Sequence, residues 1–312
     1  MSVRDCVLKT ERLSLLGGAW KELFSLTLGP TPFVSYEWFR ALARNLLRTD
    51  PEVLVFTESD AVKGIIPATI RDGAMRSLGD ERVTDLNDMV CVPGYEKRIA
   101  EAIADTVRER GLNIDLYPVE TDSGLVIHLR DFLPDAVIKK ADPCPLLDLP
   151  ATWDDYLEGL DSKSRHELRR KMRKVNGTVI QDVKNEHMDD LFQLMELSDN
   201  NKKRFLQPDI LAFFRELADV FRRKHWLRVR RAVLDGRSIG MIFAFTFRER
   251  VYLYNMGFDP AYRSMSPGIV TIALDIRSAI SEGCKYYDFL RGDEAYKYRL
   301  GAMERYTVRI TR

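Results

Sequence analysis

Asp288, Arg291, Glu294, Tyr296, Lys297 and Tyr298 all fall within one stretch, DFLRGDEAYKYRLG, residues 288–301. Carboxylate, guanidinium, phenol and ammonium groups are the side chains that pass protons and stabilise developing negative charge. Asp288 lies within CKYYDFL, an apolar run that reads as a short strand, and the others follow it, so a buried strand ends in ionisable chemistry. A second stretch, YRSMSPG at 262–268, joins a β-rich run to a helical one. A helix N-terminus presents unpaired N–H groups and a partial positive charge, which suit a phosphate or pyrophosphate. Arg263 adds a cation there and Gly268 lets a ligand approach the backbone, although turn geometry alone also calls for Ser, Pro and Gly. A third stretch, Lys163 to Lys174, holds seven Lys or Arg among twelve residues. Arg165, Arg169 and Arg173 share one helical face and Leu168, Met172 and Val175 supply an apolar one, so it reads as a helix capped by Asp161 or Ser162. Its cations either meet an anionic ligand or form a solvated face, and the polar NNKKRF, 200–205, either borders an acceptor or is surface loop.

The elements that must position these groups are legible from Leu227 onward. Three β-rich runs are broken by Asp235-Gly236 and by Arg248-Glu249-Arg250, which are hairpin signals. Ile269, Ile272, Ala273, Ile276, Ala279 and Ile280 recur at helical spacing before Gly283, and ERYTVRI then alternates as a strand. The first half repeats this order more weakly, with strands about turns from Glu52 to Leu78, a helix from Lys97 to Arg110 and the strand LNIDLYPV. Matching Gly64 to Gly240 gives an offset of 176 residues, and Gly111 to Gly283 gives 172, which is the register of a degenerate tandem duplication. The proline-bearing stretch Asp142 to Pro150 marks the boundary, so the expectation is one domain at 1–150 and another at 151–312.

Composition bounds what those domains can be. With 312 residues, 45% of them apolar, the chain can fill two cores. Lys and Arg number 48 against 47 Asp and Glu, so no global basic field calls for DNA. Four cysteines lie without paired spacing, which excludes a zinc motif or a disulfide framework, and no metal is expected. His128, His166, His187 and His225 are too far apart in sequence to suggest a catalytic pair. The N-terminal stretch lacks a signal-peptide apolar core and no run reaches membrane-spanning length, so a cytoplasmic setting is expected.

The order strand, R-x-x-S-P-G loop, helix, strand resembles the acyl-CoA-binding core of GNAT acetyltransferases, with Arg263, Ser266 and Gly268 at the loop positions. Ser266 stands where that family has its first glycine, and Pro267 removes one amide donor. More specifically, YLEGLDSKSRHELRRKMRKV, GFDPAYRSMSPG, YDFLRGDEAYKYRLGA, TPFVSYEWFRAL and TDLNDMV resemble the CelD/BcsL-type acetyltransferase-like family, associated with cellulose and exopolysaccharide biosynthesis and similar to the FemAB peptidyltransferases. The resemblance implies an α/β fold of tandem GNAT-like N-acyltransferase domains, each a mixed, mostly antiparallel sheet flanked by helices. It implies acyl-CoA, acetyl-CoA for instance, as donor and a small-molecule or saccharide acceptor for N- or O-acyl transfer. Within it Asp288 or Glu294 serves as base, Arg291 as oxyanion partner, and Tyr296 or Tyr298 as acid, with Tyr298 also on the donor side. Lys297 fixes an anionic substrate or keeps Asp288 charged. Lys163, Ser164 and Arg165 match a family motif on the substrate side, and Asp85 and Asp88 are the residues with which the first domain lines the acceptor. Two alternatives follow from the same resemblance: a FemAB-like transferase that takes aminoacyl-tRNA, or a non-catalytic component of a polysaccharide assembly.

Overall fold

Strand and helix periods dictate the layout, and in both halves a helix crosses between two parallel strands. The computed structural model describes residues 6–183 and 188–312. The chain forms two units, one running up to Asp142 and taking in Tyr306–Arg312, the other Pro143–Arg305.

The first unit contains β1 (Cys6–Arg12), α1 (Gly17–Leu26), α2 (Tyr36–Leu42), β2 (Glu52–Glu58), β3 (Ala61–Ile66), β4 (Ala68–Arg71), β5 (Ala74–Ser77), β6 (Val90–Cys91), α3 (Glu96–Glu109), β7 (Asn113–Glu120), α4 (Gly124–Phe132) and β8 (Val137–Pro143). The second contains β9 (Leu146–Asp148), α5 (Trp153–Gly159), α6 (Ser162–Lys174), β10 (Val179–Asp182), α7 (Met188–Ser198), α8 (Asn200–Phe205), α9 (Pro208–Arg223), β11 (Leu227–Leu234), β12 (Arg237–Phe247), β13 (Arg250–Phe258), α10 (Pro267–Ser281), β14 (Tyr286–Asp288) and α11 (Ala295–Arg299); β15 (Tyr306–Thr311) closes the chain. Among the described residues the strand orders are β1-β2-β3-β6 and β4-β5-β7-β15-β8 in the first unit, and β10-β11-β12-β13-β14-β9 in the second. Sequence reading assigns 151–312 to the second domain, yet Tyr306–Thr311 pairs antiparallel with β7 in the first unit, Ile310 opposite Leu116. Alternation identifies a strand but not the sheet that receives it.

The glycines of the repeat have matching structural roles. A Cβ on Gly64 in β3 would lie 2.4 Å from Ile99 of α3, and one on Gly240 in β12 would lie 2.4 Å from Thr271 of α10. In each half a helix therefore settles directly onto a strand where only glycine leaves room. β5 pairs parallel with β7 across the α3 crossover, as β13 pairs parallel with β14 across α10. Asp235 and Gly236 both adopt positive φ at the β11–β12 turn, the geometry that a two-residue hairpin requires.

Helix α10 is tied to its sheet by charge as well as by Ile272, Ala273 and Ile276. Asp275, wholly buried, accepts from Arg228 Nε of β11 at 2.8 Å and from Tyr287 Oη of β14 at 2.9 Å. Arg228 also donates to Glu282 at the end of α10 at 2.5 Å. Removing one member of a buried pair strands the other charge, which typically costs about 3–5 kcal/mol. Asp275→Ala is therefore expected to lower the unfolding free energy of the second unit by about that amount, and urea denaturation followed by tryptophan fluorescence checks it.

Candidate functional site

The second unit gathers its site at the end of a very short strand pair. β14 pairs with β13 only over Arg250–Tyr252 opposite Tyr286–Asp288. Beyond Tyr252, among the described residues, no strand covers that side of β13. The β12–β13 ladder also slips between Phe243 and Ala244, which leaves Tyr254 as an extra residue. A bulge bends its strand and increases the local twist, so β13 turns away just where β14 stops.

The exposed edge leads to the N-terminus of α10. A 3₁₀ turn, Pro260–Met265, ends at Ser266, which takes the left-handed conformation at φ 55° and leaves its side chain out of the cap. Pro267 then begins the helix. Gly268 lies against β13: a Cβ there would come within 2.9 Å of Met256 Cε. Arg263 is exposed in the same turn. Lys174 of α6 donates to the carbonyl of Ser264 at 3.3 Å, which ties the basic helix to this loop.

A cavity of about 990 Å³ opens between α6, α10 and α11. Lys163, Ser164, His166 and Lys171 of α6 line it with Ile269, Tyr296 and Arg299. Of the residues singled out in the sequence, Lys163, Ser164 and Tyr296 line this cavity. Arg165 does not; its Nη1 donates to the carbonyl of Glu158 at 3.1 Å. His166, Lys171 and Arg299 were missed, although Lys163, Glu167 and Lys171 recur at four-residue intervals and so mark one helical face. Lys171 donates to Glu167 at 2.6 Å, and Arg170 and Lys171 hold the Glu167 carboxyl down at about 2. Asp161 is the observed cap of α6, accepting from the Ser164 amide at 3.0 Å.

The ionisable stretch after β14 is arranged largely around its own backbone. Asp288 is completely buried, accepting from Arg305 Nη2 at 2.7 Å and from the Leu290 amide at 2.9 Å, with Arg250 Nη1 at 3.6 Å. Its nearest cation is thus Arg305 rather than Arg291 or Lys297. Lys297 is buried too, and its ammonium donates to the carbonyls of Leu290, Arg291 and Gly292 at 3.2, 2.9 and 3.1 Å. Glu294 Oε2 lies 2.9 Å from the same nitrogen. Gly292, at φ 123°, belongs to this wrap, because a Cβ there would meet Glu294 and Lys297. Tyr298 donates to Asp293 at 2.8 Å. Burial, with Glu294 adding to it, raises the Tyr296 phenol well above its ordinary range, so it keeps its proton and can donate a hydrogen bond.

In the first unit Asp88 accepts from Ser123 Oγ at 2.8 Å and from the Met89 amide at 2.7 Å. Burial of the carboxyl outweighs those bonds and pushes it up to about 7, with Glu120 and Asp122 adding to the rise. Asp85 is partly exposed in the same segment. His187 lies outside the described residues. Among the described residues no three His, Cys, Asp or Glu side chains cluster as a metal site requires, and no helix is long and apolar enough to cross a membrane.

Residues 162–298 match the family model described as an acetyltransferase (GNAT) domain. No curated protein matches the chain. Among solved structures it resembles a FemX, with a TM-score of 0.68 at 12% identity over 96% of both chains. It also resembles the C-terminal domain of a putative lysylphosphatidylglycerol synthetase from Agrobacterium fabrum, with a TM-score of 0.57 at 12% identity over 88% of this chain and 91% of that one. A conserved protein from Bacteroides thetaiotaomicron VPI-5482 gives 0.56 at 10% identity over 97% and 98%. At these identities the likeness is one of fold, and the fold is GNAT-like, mixed sheets flanked by helices, with the matched residues 162–298 in the second unit.

Two outcomes are expected. Lys297→Met leaves three carbonyls without their donor, and each unsatisfied buried group costs about 1–3 kcal/mol. The amides of residues 289–294 should then exchange with deuterium faster, while those of α10 stay protected. For Asp88 the folded state binds a proton that the unfolded state has released, between the ordinary carboxylate pKa and about 7. Stability of the first unit therefore falls as pH rises through that window and levels off above it. Thermal melts across the range should show this slope, and Asp88→Asn should flatten it.

Proposed function

We propose that the second unit is an acyltransferase whose donor is an acyl thioester of CoA, with its phosphates at the 263–268 loop and its arm along the free edge of β13. The observation that carries this reading is the meeting of an uncovered strand edge with the N-terminus of α10, joined through Gly268 and Met256. An extended ligand with amide groups can satisfy a strand edge as another strand would. Backbone N–H groups at a helix N-terminus favour phosphate, and Arg263 adds a charge. In this reading Tyr296 donates a hydrogen bond to the departing thiolate, and Lys297 positions the loop rather than touching the reacting atoms. Arg291 and the backbone it shares with that loop stand beside the oxyanion. Asp288, sealed against Arg305, holds the end of β14, and Glu294, exposed, is the better-placed base.

For the acceptor we propose a sugar hydroxyl or amine of an envelope or polysaccharide precursor, a choice resting on the CelD/BcsL-like motifs. Lys163, Ser164 and His166 then face an anionic or hydroxylated acceptor from α6. A second reading, with aminoacyl-tRNA as donor, draws on the FemX-like fold and on the cations of α6 along the cavity.

Isothermal titration with CoA and acetyl-CoA decides between them. Micromolar binding is expected, weakened at least about tenfold, or 1.4 kcal/mol, in a folded Arg263→Glu variant. No binding of either CoA or acetyl-CoA, together with salt-sensitive binding of tRNA, would overturn the CoA reading in favour of the second.

A further inference from the structure

Lys202 lies outside the family motifs and outside the large cavity, yet α8 carries its amine to the same free edge of β13. The placement is built in several steps. A Cβ on Gly257 would come within 2.3 Å of the Met195 amide, so the backbone of α7 rests directly on β13. The chain then turns at Asp199, whose carboxylate caps α8 by accepting from the Asn201 amide at 2.7 Å. From there Lys202 reaches back, partly buried, and its Nζ donates to the carbonyl of Met256. Met256 is the residue whose side chain packs at Gly268, so the amine and the phosphate-binding turn are linked through one strand position.

We propose that Lys202 is an internal acyl acceptor: its amine stands on the strand edge along which the thioester arm must lie, and the acyl group passes to it. The inference rests on the donor reading given above. Burial lowers the proton affinity of Lys202, against the opposing pull of Asp199 and Glu294, so the neutral amine is more accessible than that of an exposed lysine. In the step itself the Nζ lone pair attacks the thioester carbonyl carbon, forming a C–N bond. The C–S bond breaks with its electron pair going to sulfur, and the proton lost by nitrogen ends on the thiolate, giving an ε-amide and free CoA thiol. Lys297 cannot compete, because three carbonyls and Glu294 enclose its ammonium. An amide does not turn over as a thioester does, so the modification limits itself: it occupies the donor's seat and removes the charge that Glu294 and Asp199 face.

The test incubates the intact protein with acetyl-CoA and maps lysine acetylation by mass spectrometry, alongside titration of acetyl-CoA binding. The expected result is one dominant acetyl group at Lys202, formed well ahead of the adjacent exposed Lys203, lost in Lys202→Arg and sharply reduced in Arg263→Glu. Binding of acetyl-CoA without enrichment at Lys202 would overturn the proposal while leaving the donor reading intact. Equal labelling of Lys202 in wild type and Arg263→Glu would overturn it as well, since that is reactivity without a bound donor. Absence of both binding and label would remove the donor reading, and this inference with it.

Discussion

A parallel ladder only three residues long, Arg250–Tyr252 against Tyr286–Asp288, is the constraint on which the second unit turns. It has to be long enough to anchor the α10 crossover and short enough to leave the rest of β13 uncovered. β14 is therefore secured by side chains as well as by its ladders to β13 and β9. Tyr287 is locked under α10 by Asp275, and Asp288 is locked by Arg305 and by the turn amide of Leu290. Leu290 takes a left-handed φ of 55°, unusual for a bulky side chain, and the carboxylate that accepts its amide helps to hold that conformation.

Charge in this unit is used mainly for support. Arg228, Arg230, Asp275 and Glu282 join a strand to a helix, and Lys297 gathers a loop around itself. Such groups are spent on geometry, and the cations facing the cavity are Lys163 and Lys171 of α6 and Arg299. A net charge of +1 conceals this division, since a near-neutral sum is compatible with a locally basic wall.

The parts of the fold that rest on local chemistry were legible in the sequence. Asp235-Gly236 announces a hairpin because few other residues tolerate two positive φ angles, and the spacing of Ile269 to Ile280 announces a buried helix. Gly64 and Gly240 revealed the repeat because a helix presses on each strand. What stayed hidden depends on partners distant in the chain. Nothing near Asp288 announces that Arg305, from beyond α11, neutralises it, and a lysine in a polar run shows neither that Lys297 points into carbonyls nor that Lys202 points at a strand edge. The basic helix is legible in the sequence, but its spacing does not show which side chains line the cavity: Lys163, Ser164, His166 and Lys171 do, and Arg165 does not.

The position of β15 between β7 and β8 bears on how the chain is made. Synthesis runs from the N-terminus, and domains ordinarily fold in the order in which they emerge. Here the five-stranded sheet of the first unit lacks an inner strand until Tyr306–Thr311 has been translated, after every residue of the second unit. The later-made unit can thus complete its sheet first, and the earlier-made one waits with β7 and β8 unjoined, a nascent edge that a growing chain must keep from pairing elsewhere.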